Sequence, residues 1–330
     1  MVPLVDGHGR RVRDLRISVT DRCNLRCTYC MPAEGLAWLP REDVLTYEEL
    51  ARVAALCVER WGFDSIRITG GEPTLRADIE SFVALLAPLG VDLAMTTNAI
   101  RLVDLAGPLR AAGLDRVNIS LDTLRPDTFR SITRRDDLER TIAGIDAAIA
   151  AGLAPVKINA VVMRGVNDDE VVDLAAFARD RGVGLRFIEF MPLDAEQGWT
   201  PDRVVPAREI LERVHAAFPL AAEPRAHAHH VEPAERFAYA DGRSDVGVIA
   251  SVTEPFCGDC DRVRITADGR LRTCLFALDE HDLRALLRGG ADDDSIAAAI
   301  ERAVGAKWAG HRVGNVDFIR PDRSMSQIGG

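Results

Sequence analysis

Residues 13–32 read RDLRISVTDRCNLRCTYCMP. The first part, "LRISVT", alternates apolar and polar residues and predicts a strand. Cys23, Cys27 and Cys30 follow it directly, spaced C-x3-C-x2-C. Thiolates are soft ligands that suit zinc, copper(I) or iron–sulfur clusters. A structural zinc site closes with four ligands. Here the nearest histidine in the chain is His8, and no fourth cysteine stands close by. Three thiolates on a cubane cluster leave one iron open to a small molecule; a four-cysteine electron-transfer cluster has no such position. The stretch therefore predicts a strand that delivers an open cluster.

The same strand type recurs as "SIRITG", "VDLAMTT", "RVNISLD", "PVKINAVV" and "LRFIEFM". Amphipathic segments lie between, such as "TYEELARVAALCVERWG". There Thr46 and Glu49 fit a capping box, and Leu50, Val53, Ala54, Cys57 and Trp61 share one helical face. That position makes Cys57 a core residue and not a ligand. Six strand–helix repeats predict parallel β with right-handed crossovers. The expected fold is α/β, an incomplete (β/α)6 TIM-like barrel, with polar residues at the strand ends where such a barrel keeps its site. Residues 221–237, AAEPRAHAHHVEPAERF, break the rhythm. His227, His229 and His230 imitate a metal motif, but a Pro/Ala-rich connection reads as a solvated loop. The expected division is residues 1–237 as the partial barrel with the first cluster. Residues 238–330 then form a smaller C-terminal unit with the second cluster, packed on the barrel's open side.

That unit contains FCGDCDRVRITADGRLRTCLF, residues 256–276, with Cys257, Cys260 and Cys274 spaced C-x2-C-x13-C. Again there are three ligands. Zinc remains an alternative, with His281 as a fourth ligand. Arg262 and Arg264 alternate on a predicted strand and point the same way. Paired guanidiniums match phosphate oxygens; an exposed basic strand face is the plainer alternative.

The net charge of −10 argues against bulk binding to nucleic acid or anionic membrane. No run of 18 apolar residues suggests a membrane span, and "MVPLVDGHGRRVRDLR" lacks a signal-peptide core. A cytoplasmic location is expected, where thiols stay reduced. Lys157 and Lys307 are the only lysines among the basic residues.

"CNLRCTYC" resembles the signature of the radical S-adenosylmethionine superfamily, and "TGGEP" (residues 69–73) resembles its motif for the methionyl amino group. The wider pattern is similar to the GTP 3′,8-cyclase family of molybdenum cofactor biosynthesis. It includes "INAVVMRGVNDDE", "RFIEFMP", the second cysteine block and the terminal "IGG". The resemblance implies two 4Fe-4S clusters on the six cysteines, with S-adenosylmethionine held by Tyr29, Gly71, Ser120 and Met191. It implies GTP contacts from Arg16, Arg67, Thr96, Lys157, Arg262, Val263 and Arg264, and catalytic roles for Arg262, Arg264, Gly329 and Gly330. The implied chemistry removes the 3′ hydrogen of GTP with a 5′-deoxyadenosyl radical and joins C3′ to C8. The implied partners are GTP, a flavodoxin- or ferredoxin-like electron donor, and a cyclic pyranopterin monophosphate synthase that receives the product. A homodimer is the assembly considered. One departure is "TTNA", where the family reads "TTNG"; if the turn needs positive φ, Ala99 is costly there. A peptide-modifying radical enzyme and a zinc-stabilised or electron-transfer protein are the competing readings.

Overall fold

The computed structural model describes residues 2–194, 196–222 and 232–329. His227, His229, His230 and Gly330 lie outside the described residues. The chain opens with a hairpin, β1 (Leu4–Val5) and β2 (Arg11–Val12). Next come β3 (Asp14–Ser18), α1 (Tyr47–Trp61), β4 (Ser65–Thr69), α2 (Ile79–Leu86), β5 (Asp92–Thr97) and α3 (Leu102–Ala112). They are followed by β6 (Arg116–Ser120), α4 (Pro126–Thr133), α5 (Leu138–Ala150), β7 (Lys157–Val162), α6 (Val171–Asp180), β8 (Gly184–Glu189) and α7 (Ala207–Ala217). The remainder holds β9 (Leu220–Ala222), β10 (Glu235–Tyr239), β11 (Asp245–Ile249), β12 (Arg262–Ile265), β13 (Arg270–Arg272) and β14 (His281–Asp282). Helices α8 (Leu283–Arg288), α9 (Asp293–Gly305) and α10 (Met325–Ile328) close the chain.

All six expected barrel strands are present, in sequence order and parallel. Helix α1 shows how local signals place the layers. The Thr46 hydroxyl accepts from the Glu49 N–H, and the Glu49 carboxylate accepts from the Thr46 N–H. Leu50, Val53, Ala54, Cys57 and Trp61 are the buried face. The strands supply the other half of that core. Leu15, Ile17, Ile66, Ile68, Val117 and Ile119 are all fully buried in it. Each such side chain contributes about 1.5–3 kcal/mol.

The C-terminal residues do not form a separate sheet. The strand order is β14-β13-β12-β3-β4-β5-β6-β7-β8-β11-β10-β9. β12 pairs parallel with β3 and β11 pairs parallel with β8, so segments after residue 238 extend both edges of the barrel sheet. β11 and β12 do not pair with each other, and antiparallel strands follow on each side. The barrel is therefore open. Among the described residues, no helix is long and apolar enough to cross a membrane.

Because side chains alternate along a strand, the opposite face of these strands lines a lumen. It is polar. Asp14, Arg16, Ser65, Arg67, Arg116, Asn118, Lys157, Asn159 and Arg186 alternate with the core residues of the same strands.

Candidate active site

The first cysteine loop leaves β3 and is gripped by the turn after β4. The Gly71 N–H donates to the Thr20 carbonyl at 2.7 Å, and the Glu72 N–H donates to the Arg22 carbonyl at 2.8 Å. A Cβ on Gly71 would lie 2.4 Å from the Arg22 oxygen and 2.5 Å from the Asp21 oxygen. Glycine is thus required by contact with the cysteine loop's own backbone. Glu72 is buried and accepts from the Thr74 N–H (3.1 Å), the Thr74 hydroxyl (2.6 Å), the Thr97 hydroxyl (2.7 Å) and the Asn98 N–H (2.7 Å). Asn98 in turn donates to Asn24 at 2.7 Å. One carboxylate so ties the ends of β4 and β5 together, beside the cysteines.

Tyr29 donates its hydroxyl to Asp122 at 2.7 Å, and Asp122 also accepts from the Val161 N–H at 2.8 Å. Burial pushes the Asp122 carboxyl up to about 6. The thiols are pushed up as well. Burial, then Glu72, raises Cys23 to about 11. Burial, then Asp122, holds Cys27 well above the ordinary thiol range. Burial raises Cys30 to about 12, against hydrogen bonds from the backbone and side chain of Ser326. The Leu25 N–H points at Cys23 Sγ from 3.4 Å. Ser120 ends β6 and pairs with Asn159; Met191 follows β8 and is half-buried.

The second cysteine site lies at the other end of the lumen. Cys260 precedes β12, whose first residue Arg262 is in register with Asp14, the first residue of β3. The first site follows the last residue, Ser18. At ~3.3 Å per residue the length of β3 spans about 13 Å. Segments of the C-terminal unit extend both edges of the open sheet, and its cysteines sit at the N-terminal mouth. The cause is the parallel pairing of β12 with β3.

The surroundings of these thiols are cationic. Arg262 Nη2 lies 3.4 Å from Cys260 Sγ, with its guanidinium 4.8 Å from the Phe256 ring centroid. Lys307 Nζ lies 3.7 Å from the same sulfur. Burial opposes ionisation of Cys260, but Arg262 and Lys307 outweigh it and bring the thiol down to about 6. The Phe276 N–H points at Cys274 Sγ from 3.4 Å. Arg10 ties the β1–β2 hairpin to this loop, donating to the Cys257 carbonyl at 2.6 Å and pairing with buried Asp6. His281 is in register with Leu271. The His311 backbone N–H is hydrogen-bonded to Cys257, and the His311 ring packs on Phe276 at 5.0 Å.

Between the two sites, Arg264, Arg16 and Arg67 are consecutive neighbours across β12, β3 and β4. Burial and then mutual repulsion lower Arg67 to about 9 and Arg264 well below the ordinary arginine value. Burial lowers Arg16 too, with Asp14 opposing. The Nε atoms of Arg16 and Arg67, and the amide oxygens of Asn118 and Asn159, are buried with no hydrogen-bond partner among the described residues. The arginine row favours a bound polyanion, which supplies charge and acceptors to the guanidiniums; the two amide oxygens call for a donor. Thr96 faces the same lumen, in register with Asn118. Lys157 does too, but it is ion-paired with Glu232. Val263 points the other way and is fully buried in the core.

The C-terminus enters this space. Ser324 and Gln327 cap α10, and the Gly329 carbonyl accepts from Arg264 at 2.7 Å. A Cβ on Gly329 would lie 2.9 Å from Thr69 Cγ2 and 3.1 Å from Ser18 Cβ, at φ 81°. The tail is therefore fitted between the ends of β3 and β4.

Lys307, Ser326, Asn118 and Asn159 were not singled out as site residues from the sequence. Lys307 shares its rarity with Lys157, but rarity alone does not place it beside a cysteine. The two asparagines occupy alternate strand positions with the chosen residues. No local signal places Ser326 beside Cys30.

All six cluster-site cysteines are free thiols. Both triads carry N–H donors aimed at sulfur, the usual environment of cluster ligands, so the residues present fit the two clusters. A profile of the Radical SAM superfamily matches residues 17–178, and one for Molybdenum Cofactor Synthesis C matches residues 183–313. A GTP 3′,8-cyclase of Paenarthrobacter nicotinovorans is 49% identical over 347 residues, covering 100% of this chain and 97% of the relative. The GTP 3′,8-cyclase of Streptomyces coelicolor is 51% identical over 329 residues, covering 99% and 96%. Among solved structures, Streptococcus suis SuiB bound to S-adenosylmethionine superposes with a TM-score of 0.61. It is 16% identical and covers 89% of this chain and 69% of that one, a likeness of fold alone. On this footing, the chain belongs to the GTP 3′,8-cyclase family of the radical S-adenosylmethionine superfamily.

Proposed function

We propose that the chain converts GTP to (8S)-3′,8-cyclo-7,8-dihydroguanosine 5′-triphosphate, with methionine and 5′-deoxyadenosine as co-products. This is the first step of molybdenum cofactor biosynthesis. The observation that carries the reading is the buried Arg264–Arg16–Arg67 row between two three-thiol sites. Cys23, Cys27 and Cys30 hold the first 4Fe-4S cluster, and Cys257, Cys260 and Cys274 hold the second. When bound, the first cluster with S-adenosylmethionine supplies the 5′-deoxyadenosyl radical, and the second supplies an open iron for the guanine end of GTP.

The chain's own residues orient and shield. Arg16, Arg67, Arg262 and Arg264 neutralise the triphosphate, and Lys157 joins them once its pairing with Glu232 gives way. Thr96 lines the same lumen, and Val263 contributes through its backbone. Gly71, Ser120 and Met191 border the S-adenosylmethionine position. Tyr29 does so through its backbone, because its hydroxyl is engaged by Asp122. Gly329 brings a side-chain-free backbone to the reacting groups, where its bulk displaces water, and a catalytic role is proposed for Gly330 as well. Residues 1–237 form the unit for S-adenosylmethionine, and residues 238–330 the unit for the second cluster. A cytoplasmic setting, a flavodoxin- or ferredoxin-like donor and a downstream cyclic pyranopterin monophosphate synthase complete the reading. A homodimer is the assembly to look for.

The test is anaerobic incubation of reconstituted protein with GTP, S-adenosylmethionine and dithionite. Equimolar 5′-deoxyadenosine and cyclised GTP are expected. Release of 5′-deoxyadenosine with GTP left intact would refute the substrate assignment.

A further inference from the structure

Lys307 follows α9 and is almost entirely buried, at 3% exposure. An ammonium group has three protons to donate. Here Nζ has three acceptors: the Cys260 and Arg262 carbonyls, both at 2.8 Å, and Cys260 Sγ at 3.7 Å. The two carbonyls bracket Asp261, so the bonds fix the entry from the ligand loop into β12. The third contact places a positive charge beside one ligand sulfur. Arg262 is near the same sulfur, but its side chain lies on the lumen side with the other substrate-facing arginines. Lys307 has no proton left for a substrate.

We propose that Lys307 is a positioning residue of the second cluster. It holds the Cys260–Arg262 backbone in place and gives that cluster a fixed positive neighbour, which favours the reduced state. The inference rests on the reading of Cys257, Cys260 and Cys274 as cluster ligands. Reduction adds negative charge, and charge and hydrogen bonds at the sulfurs set cluster potentials. Deleting the cation therefore disfavours reduction of this cluster and leaves the first one, at the other mouth of the lumen, unaffected.

The test uses the full chain reconstituted anaerobically, with iron counted and each cluster titrated by electron paramagnetic resonance. Signals are assigned in variants lacking one or the other cysteine triad. The parent should load about eight irons; about four would overturn the two-cluster reading, and this inference with it. In Lys307→Met, the reduction equilibrium constant of the second cluster should fall about tenfold, a drop of ~59 mV for one electron. The first cluster should not move, and Lys307→Arg should restore the parent value. An unchanged second cluster in Lys307→Met, or an equal shift of both clusters, would overturn the assignment. If Lys307→Met loads only about four irons, the Arg variant decides. Full loading there supports the role of the charge, and loss in both variants reduces Lys307 to packing.

Discussion

The two cysteine triads share a ligand count and differ in the charge around them. Glu72 and Asp122 stand near the first, and burial with those carboxylates raises Cys23 and Cys27 above the ordinary thiol range. Arg262 and Lys307 stand near the second, and Cys260 ionises more readily than a free thiol. The expected occupants differ in the same sense. S-adenosylmethionine carries a sulfonium and an ammonium against one carboxylate, whereas GTP is a polyanion. On the proposed function, the barrel would take its two ligands in surroundings of opposite charge, one at each mouth, with the arginine row behind the anionic one.

The most damaging change to the first side should be Gly71→Ala. Its Cβ meets two backbone oxygens of the cysteine loop that cannot swing aside. Iron loading should fall from about eight to about four, and S-adenosylmethionine cleavage should vanish. Full loading in this variant would show that the loop is not held as described.

Asp122→Asn probes the acidic surroundings themselves. A carboxyl at about 6 in the fold, against an ordinary 3.8 in the unfolded chain, binds more protons folded than unfolded between those values. Stability from this group is present below pH ~4 and is lost as pH rises through about 6. Two pKa units correspond to about 3 kcal/mol. Urea unfolding of cluster-free parent and Asp122→Asn should therefore converge at low pH. As pH rises, the parent should lose about 3 kcal/mol relative to the variant. Parallel curves would remove Asp122 as a buried acid.

On the cationic side, Arg262→Ala and Arg264→Ala should preserve 5′-deoxyadenosine formation and lower cyclised product. Loss of a charge-assisted hydrogen bond worth about 1.5–3 kcal/mol predicts roughly 10- to 100-fold. Arg264→Ala should be the worse of the two, because it also releases the Gly329 carbonyl. Product formation unchanged in both would place the polyanion elsewhere.

The smallest effect belongs to Ala99. Its φ is 64°, so the turn does require the left-handed region, and the alanine is strained there. Gly144 of α5 leaves it room, since a Cβ at that position would lie 2.0 Å from the Ala99 oxygen. Ala99→Gly should raise unfolding free energy by about 0.5–1 kcal/mol, as relief of strain is partly offset by backbone entropy. Equal or lower stability on urea unfolding would contradict this.

Much of the fold is legible in the chain because its signals are local. The capping box at Thr46 and Glu49, the apolar face of α1 and the six period-two strands each declare themselves within a few residues. Strand order at the edges is not local. Nothing near Arg262 says that β12 will lie parallel to β3, and that pairing puts the second cysteines at the opposite mouth and builds the Arg264–Arg16–Arg67 row. The cysteines and arginines were legible as types at fixed spacings. Lys307 and Ser326 were not, because each reaches its sulfur from a segment remote in sequence. Val263 shows the reverse: it sits inside a site motif, and the strand's alternation turns it into the core.

The most direct test of the two-site account is calorimetry on anaerobic protein in which Cys257, Cys260 and Cys274 are all replaced by serine. The account predicts about four irons, S-adenosylmethionine affinity like the parent's, and GTP affinity weakened at least about tenfold, some 1.4 kcal/mol. GTP binding at parental affinity in that variant, or a loss of S-adenosylmethionine binding in its place, would contradict it.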